Sequence, residues 1–229
     1  MRIDATRVAR TGIPEFVFAS GKSPEAVLIS LQRLASANGR AFASRCSSEM
    51  AARIELELGA TFDVVQHADA RAVIVARVGR AATCKGGRVG IVTAGTSDIP
   101  VAAEAALVAR EMGAVVHEVR DVGVAGLHRL VQPLERLIEA DVDVLIVAAG
   151  MDGALASVVA GLVPVPVIGL PTSVGYGHGG QGSTALHSML QSCAPGLVVV
   201  NIDNGVGAGA TAALIANRVA ALRHKSDRQ

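Results

Sequence analysis

Cys193 is a thiol in the segment "SCAPG" (192–196), between a predicted helix and the apolar run "LVVV". A thiolate is both a nucleophile and a good leaving group, so cysteine suits reactions in which an enzyme–substrate bond forms and later breaks. A buried structural thiol is the alternative, and the residue type alone favours it. Asp152 lies between Gly150 and Gly153 at the start of a predicted helix. Its carboxylate could act as a general base or simply cap that helix.

Small and polar residues follow each of five predicted strands in the second part of the chain. Ser97 or Asp98 can cap the next helix, whose free N–H groups favour anions. His128 and Arg129 begin another helix and could bind a phosphate or carboxylate, although an ordinary surface pair is the alternative. These strand ends together predict a nucleotide-sized binding site. The candidates for substrate contact there are Thr96, Ser97, Asp98, Asp121, His128, Arg129, Gly150, Met151, Ser173, Gly175, Tyr176, Gly177, Asn201, Asp203 and Asn204.

The segment "PTSVGYGHGGQGST" (171–184) has five glycines between positions 175 and 182. Glycines contribute no side chains to a packed core, so packing does not explain such a composition. We therefore expect this loop to close over a ligand or to bring its backbone N–H groups against one.

The elements that must position these residues alternate regularly. Apolar, β-branched runs predict strands at 88–95, 114–120, 142–150, 166–171 and 196–203. Helical spacing predicts helices at 99–113, 127–140, 154–162, 183–192 and 209–225. Continuously apolar strands that alternate with helices are typical of a parallel sheet covered on both faces. Ligands of such sheets bind at the carboxyl ends of the strands.

Residues 1–85 follow a different pattern and predict a smaller α+β domain, with residues 86–229 as the catalytic domain. We expect a short strand, a helix that begins at Pro24 with Ser23 as its N-cap, a strand at 40–46, a helix at 47–59 and two further strands. The segment "ATCKGGR" (82–88) is predicted to be the linker.

The composition excludes several classes of protein. A net charge of +1 over 229 residues gives no basic field, so nucleic acid is not an expected partner. Three distant cysteines without a CxxC pair disfavour a disulfide framework and a structural zinc site. The N-terminus lacks a signal-peptide pattern and no apolar segment long enough for a bilayer is apparent. We therefore expect a soluble cytoplasmic protein that does not bind a membrane.

The chain resembles the LarB family, the pyridinium biscarboxylic acid mononucleotide synthases of nickel-pincer cofactor biosynthesis. The N-terminal segment "TGIPEFVFASGKSPE" matches a family motif, and the second domain is similar to the PurE family of aminoimidazole ribonucleotide carboxylases and mutases. The resemblance implies a five-stranded parallel, doubly wound, flavodoxin-like sheet. The matching segments of the second domain are "TAGTSD", "DVGVAGLHRL", "AAGMDGALASVVAG", "PVIGLPTSVGYG" and "SCAPGLVVVNIDNGVGAG".

The resemblance implies that CO2 carboxylates the pyridinium ring of nicotinic acid adenine dinucleotide, and that hydrolysis of the phosphoanhydride then releases AMP. Cys193 corresponds to the family cysteine and Asp152 to a family glutamate. Mg²⁺ assists the hydrolysis in the family, no tightly bound organic cofactor is expected, and a homo-oligomer, such as a PurE-like octamer, is implied. Arg10 and Lys22 of the N-terminal motif are expected to contact the phosphates or the nicotinate carboxylate, with Glu15 structural.

The chemistry of that reaction explains the need for a thiol and a carboxylate. A pyridinium ring is too electron-poor to attack CO2, but thiolate addition para to the nitrogen gives a dihydropyridine with an enamine carbon. That carbon can attack CO2, after which a base removes its proton and the thiolate leaves. Cys193 is thus predicted to be the nucleophile and Asp152 the base. Cys46 and Cys84 have no such support and are predicted to be ordinary residues.

The chain departs from the family pattern in two places, and two other functions are alternatives. Asp152 is one methylene shorter than the family glutamate, and "GHGGQGSTALHS" is less apolar than the usual family loop. One rival is a PurE-like aminoimidazole ribonucleotide carboxylase or mutase, whose chemistry needs no thiol. The other is a nucleotide-binding regulatory protein without catalysis.

Overall fold

The computed structural model describes residues 3–226 of the chain. The chain divides into two compact units, Met1–Thr83 and Cys84–Gln229.

The N-terminal unit is a mixed four-stranded sheet with three helices. Its strands have the order β1-β2-β4-β3, with β1 parallel to β2 and the other neighbours antiparallel. Ser23 caps α2 as predicted, because its side chain accepts a hydrogen bond from the N–H of Ala26. The elements are α1 (Arg7–Thr11), β1 (Phe16–Phe18), α2 (Pro24–Asn38), β2 (Arg40–Ser44), α3 (Ser48–Leu58), β3 (Asp63–His67) and β4 (Ala72–Ala76).

The short helix α1 was not predicted from the sequence. It buries none of its five residues, so it has no apolar stripe that a periodicity analysis could detect. It ends at Gly12, whose φ of 74° places it in the left-handed region.

The second unit is a five-stranded, all-parallel sheet with helices between its strands. The elements are β5 (Arg88–Thr93), α4 (Ile99–Glu111), β6 (Val115–Val119), α5 (His128–Glu139), β7 (Val144–Ala149), α6 (Ala154–Ala160), β8 (Val167–Pro171), α7 (Ser183–Leu190), β9 (Leu197–Val199) and α8 (Gly205–Ser226). The sheet order is β6-β5-β7-β8-β9. This is the flavodoxin-like order of a doubly wound sheet, as predicted.

The end of the second unit differs in detail from the predicted elements. β9 has three residues rather than eight, and α8 begins at Gly205 rather than Gly209. Asn204 starts this helix early, since its Oδ1 accepts the N–H of Gly207 at 2.8 Å.

The expectation that no segment is long and apolar enough to cross a membrane was wrong for helix α8. Its stretch Gly205–Arg223 has the length and composition to do so, with a mean hydropathy of 1.3. This helix packs against α4, β5 and β7. A Cβ on Gly209 would lie 2.3 Å from the carbonyl oxygen of Ala105, which shows how closely α8 approaches α4. Its apolar face is therefore explained by packing within the domain.

Candidate functional site

A cavity of about 510 Å³ lies at the carboxyl ends of β5, β6 and β7. β6 and β7 lie on opposite sides of β5 in the sheet, so the chain reverses its strand order here. Such a topological switch point opens a crevice between adjacent loops, where ligands of open α/β sheets bind. The cavity is lined by Ala94, Gly95, Ser97, Asp98, Gly123, Val124, Ala125, Arg129, Ala149, Gly150, Met151, Asp152, Ala154, Leu155 and Val174.

Asp98 is a buried carboxyl in the wall of this cavity, with 3% of its surface exposed. Its Oδ2 accepts the N–H of Gly95 at 2.8 Å, and its Oδ1 accepts the hydroxyl of Thr172 at 2.6 Å. Burial raises the pKa of Asp98, and hydrogen bonds from Thr172, Gly95 and Gly150 offset part of that effect. Asp98 thus joins the turns after β5 and β7 to the end of β8.

Asp152 lines the cavity and is exposed, two residues before the start of α6. Its Oδ1 accepts the N–H of Ala154, the first residue of α6, at 3.3 Å, and Gly153 between them is the N-cap. The preceding turn is tightly built: a Cβ on Gly150 would lie 2.3 Å from the carbonyl oxygen of Val174. Met151 has a φ of 53° and donates its N–H to the same carbonyl at 2.8 Å. This backbone arrangement holds Asp152 at the cavity.

Arg129 supplies a positive charge among the described lining residues. It is the second residue of α5, and its Nη1 donates to the backbone oxygen of Asp121 at 3.0 Å. The same nitrogen lies 3.4 Å from the Asp121 carboxylate, and both side chains are about half exposed. An anion in the cavity could therefore compete for this guanidinium. His128 is exposed and does not line the cavity, and Thr96 precedes the lining residue Ser97.

The loops after β8 and β9 are bonded to each other. The N–H of Ser173 donates to Oδ1 of Asp203 at 2.8 Å, and the N–H of Asp203 donates to the carbonyl of Pro171 at 2.8 Å. Asn201 accepts the N–H of Ile202 at 2.9 Å. The loop after β8 also meets the cavity, because Gly175 lies beside Met151. Predicted residues of these two loops that do not line the cavity are Ser173, Gly175, Tyr176, Gly177, Asn201, Asp203 and Asn204.

Cys193 is exposed in the loop between α7 and β9 and does not line the cavity. Because all five strands are parallel, a loop that precedes a strand belongs to the amino side of the sheet, and the cavity lies at the carboxyl side. The neighbouring Ser192 accepts a hydrogen bond from the hydroxyl of Ser157, within α6, at 2.8 Å. The chain therefore does not bring Cys193 and Asp152 together.

The predicted contacts of the N-terminal unit have partners within that unit. Arg10 pairs with the carboxylate of Asp4 at 2.5 Å, on the surface. Lys22 donates from Nζ to the carbonyl of Phe18 at 2.7 Å. Glu15 accepts the backbone N–H of Asp4, which agrees with a structural role.

Cys46 lies in the wall of a second cavity, of about 470 Å³, in the N-terminal unit. Burial raises the pKa of its thiol to about 11. A thiol with this pKa is protonated near neutral pH, so Cys46 is a poor nucleophile. Cys84, in contrast, is exposed.

Sequence reasoning missed Thr172, which is fully buried and holds Asp98. Its position directly after an apolar strand was the available signal. It also missed Gly123, Val124 and Ala125 as lining residues, because their apolar side chains gave no chemical signal.

Among residues 3–226, no group of three or more His, Cys, Asp and Glu side chains is placed to share a metal ion.

Two comparisons with known proteins cover most of the chain. Residues 88–229 match the AIR carboxylase family, and residues 1–77 match the LarB/PurE-like N-terminal domain. An uncharacterized protein of Methanocaldococcus jannaschii is 44% identical over 218 residues, which span 94% of this chain and 84% of that protein. The two family matches meet near the observed boundary between the units.

Proposed function

This chain belongs to the LarB family and has a PurE-like core, so we propose that it carboxylates the pyridinium ring of nicotinic acid adenine dinucleotide and hydrolyses its phosphoanhydride. The products would be AMP and pyridinium biscarboxylic acid mononucleotide. The family matches support a carboxylase of the LarB/PurE family, and the particular substrate and the hydrolysis are our proposal.

The cavity at the switch point is the observation that carries this proposal. Its volume of about 510 Å³ falls within the range of small-molecule sites, roughly 300–1,000 Å³. Besides the buried Asp98, its lining includes the exposed carboxylate of Asp152 and the guanidinium of Arg129. An anionic substrate with a reactive ring carbon needs both, since the cation binds the anion and the carboxylate accepts the ring proton.

The proposed carboxylation balances without an oxidant or reductant. The thiolate of Cys193, which a neighbouring copy would supply in the homo-oligomer that the family resemblance implies, forms a C–S bond at the ring carbon para to nitrogen. The electron pair moves onto that nitrogen. The neighbouring enamine carbon then forms a C–C bond to CO2. Asp152 removes the proton from that carbon, the C–S bond breaks, and the aromatic pyridinium returns. The net change replaces a ring hydrogen by a carboxylate and releases one proton.

Asp152 is suited to the base role by its exposure and by the turn that holds it. One of its oxygens is used to cap α6, which leaves the other available to the ring proton.

Hydrolysis would follow by attack of water on a phosphorus of the phosphoanhydride. Mg²⁺ bound to the phosphate oxygens of the substrate would assist this step by neutralising their charge. A dependence on added Mg²⁺ stays a prediction, which assays with and without a chelator would check.

The test incubates purified protein with the dinucleotide, Mg²⁺ and ¹³C-bicarbonate, and follows AMP and the labelled biscarboxylate by mass spectrometry. Wild type is expected to form both products, and Cys193→Ser to form no carboxylated product. A parallel reaction contains aminoimidazole ribonucleotide instead. Carboxylation of that substrate by both proteins would overturn our assignment in favour of the PurE-like reaction. Dinucleotide binding without any product would instead favour a regulatory protein.

A further inference from the structure

The cavity of about 470 Å³ in the N-terminal unit is not used by the proposed reaction. It lies at one end of the four-stranded sheet, between the start of α3 and the turn that joins β3 to β4. Because β4 runs antiparallel to both β2 and β3, the ends of β2 and β3 and the beginning of β4 meet here. The volume of this cavity falls within the range of small-molecule sites, roughly 300–1,000 Å³.

Arg71 lines this cavity and supplies a positive charge. Its φ of 49° lies in the left-handed region, which residues other than glycine rarely adopt. Two hydrogen bonds hold this conformation: the N–H of Arg71 donates to the carbonyl of Ala68 at 3.0 Å, and its carbonyl accepts the N–H of Cys46 at 2.8 Å. The charge of Arg71 also offsets part of the effect of burial on the pKa of Cys46. The guanidinium therefore lies close to the Cys46 wall of the cavity.

Three side chains of the lining carry hydrogen-bond donors that have no partner within the described part of the chain. They are the hydroxyl of Ser48, the amide of Gln66 and the guanidinium of Arg71. All three residues are exposed, so a ligand can reach them from solvent. Several polar groups that converge on one cavity are typical of a binding site.

Glu49 is the acidic residue among the described residues of the lining. The hydroxyl of Ser47 and the backbone N–H of Glu49 itself donate to its carboxylate, which lowers the pKa of this group. The charge of Glu49 is thus stabilised at the start of α3, and Arg71 stays available to an anion that enters the cavity.

We propose that this cavity binds a phosphate monoester, as a second small-molecule site of the chain. A phosphate group has three terminal oxygens to accept hydrogen bonds from the three donors, and a guanidinium binds phosphate through two parallel hydrogen bonds. A carboxylate has two oxygens and would leave one donor unused. The apolar part of the lining, which includes Cys46, Ala51 and Ala72, would contact the organic part of the ligand. The proposal does not depend on the carboxylation, so either can fail without the other.

Titration calorimetry with inorganic phosphate and with ribose 5-phosphate tests this site. Every protein carries Arg129→Gln, which removes the guanidinium of the cavity in the second unit. Arg71→Gln is then added. Arg53→Gln is the matched control, because Arg53 pairs with Glu25 and Glu57 in the same unit and does not line the cavity. We expect both phosphates to bind the control and Arg71→Gln to weaken binding about tenfold or more, since hydrogen bonds to charged groups are strong.

Three results of this titration would overturn the proposal. The first is equal affinity of Arg71→Gln and the control, and the second is no binding of either phosphate at millimolar concentration. The third is binding of inorganic phosphate without ribose 5-phosphate, which would mean that the cavity does not take the organic part of an ester. Acetate is expected to bind more weakly than inorganic phosphate, and tighter binding of acetate would contradict the phosphate assignment.

The thiol of Cys46 gives a local readout of the same cavity. With Cys84→Ser and Cys193→Ser, Cys46 is the only cysteine of the chain. Its reaction with methyl methanethiosulfonate is followed by mass spectrometry, and we expect ribose 5-phosphate to slow this reaction because the ligand fills the cavity. An unchanged rate at a saturating concentration would place the bound phosphate elsewhere and contradict the proposal. Equal protection after Arg71→Gln would do the same.

Discussion

The five parallel strands have two ends, here called the amino edge and the carboxyl edge of the sheet. Each holds a buried carboxyl group, and the two groups have different kinds of partner. At the amino edge, Asp143 accepts the N–H of Arg88 at 2.8 Å and forms an ion pair with Arg223. At the carboxyl edge, Asp98 is bonded to the neutral donors Gly95 and Thr172. The charge of Asp143 is compensated by a cation, whereas burial raises the pKa of Asp98.

This difference separates the structural edge from the edge with the cavity. Arg88 adds a second ion pair at the amino edge, with Asp141 at 2.7 Å. These pairs join the beginnings of β5 and β7 to α8. At the other edge, small residues and left-handed turns leave the strand ends open and their polar groups available to a ligand. Substitutions at the two edges should therefore affect different properties of the protein.

The largest expected effect is on turnover, from Asp152→Asn at the cavity. Loss of a general base costs about 10²–10⁴-fold, so we expect at least a hundredfold lower rate of carboxylated product. Asn can still cap α6, and the melting temperature should change little. Asp152→Glu, which restores the family residue, is the matched control and should keep activity. Equal activity of the Asn and Glu variants would remove Asp152 from the reaction.

Gly150→Ala should lower the stability of the protein at the carboxyl edge, because the added methyl group has no room in the turn after β7. Its Cβ would lie 2.3 Å from the Val174 carbonyl and 2.8 Å from Oγ1 of Thr172. Overpacking of this kind costs about 1–3 kcal/mol, and urea unfolding would measure the loss. Gly95→Ala is the control, because its Cβ would meet only Oδ2 of Asp98, at 3.6 Å. Equal losses for the two variants would contradict the tight turn at Gly150.

Asp143→Asn should lower stability and leave catalysis unchanged. The variant keeps an acceptor for the N–H of Arg88 but leaves the partly buried Arg223 without its anion. A loss of about 1–2 kcal/mol in the free energy of unfolding is expected. A change in turnover per folded molecule would show that the amino edge also acts on the cavity.

The smallest effect is a pH dependence from Asp98. A pKa raised by folding means that the folded state binds the proton more tightly than the unfolded state. The stabilising contribution is therefore complete below the ordinary value of 3.8 and is lost as pH rises through the raised pKa. Urea unfolding of wild type and Asp98→Asn between pH 4 and pH 7 should show this decline in wild type only. A parallel response of both proteins would assign the dependence to another group.

Local residue patterns predicted most elements of the fold because each depends on neighbours in the sequence. The N-cap at Ser23 is a side chain three residues from its donor, and the apolar runs of β5, β7 and β8 are buried as continuous strands. Helix α1 escaped prediction since it buries no residue. Of the residues predicted to bind the substrate or to catalyse, Ser97, Asp98, Arg129, Gly150, Met151 and Asp152 line one cavity, and their roles stay predictions.

The order of the strands could not be obtained in this way. Placing β6 and β7 on opposite sides of β5 depends on which helices cover which face, and contacts between distant residues decide that. The order determines which loops form the cavity and which, such as those after β8 and β9, bond to each other.

By itself the sequence determined the alternation of apolar strands and helices and the set of polar residues at the strand ends. Tertiary structure alone decided that the buried Asp98 links three loops by hydrogen bonds. It also decided that Asp152 and Cys193 lie at opposite ends of the strands of one sheet. The physical reason is that secondary structure follows from local periodicity and capping. Distances between side chains follow from how the whole chain packs, within one copy and, as we propose, between two.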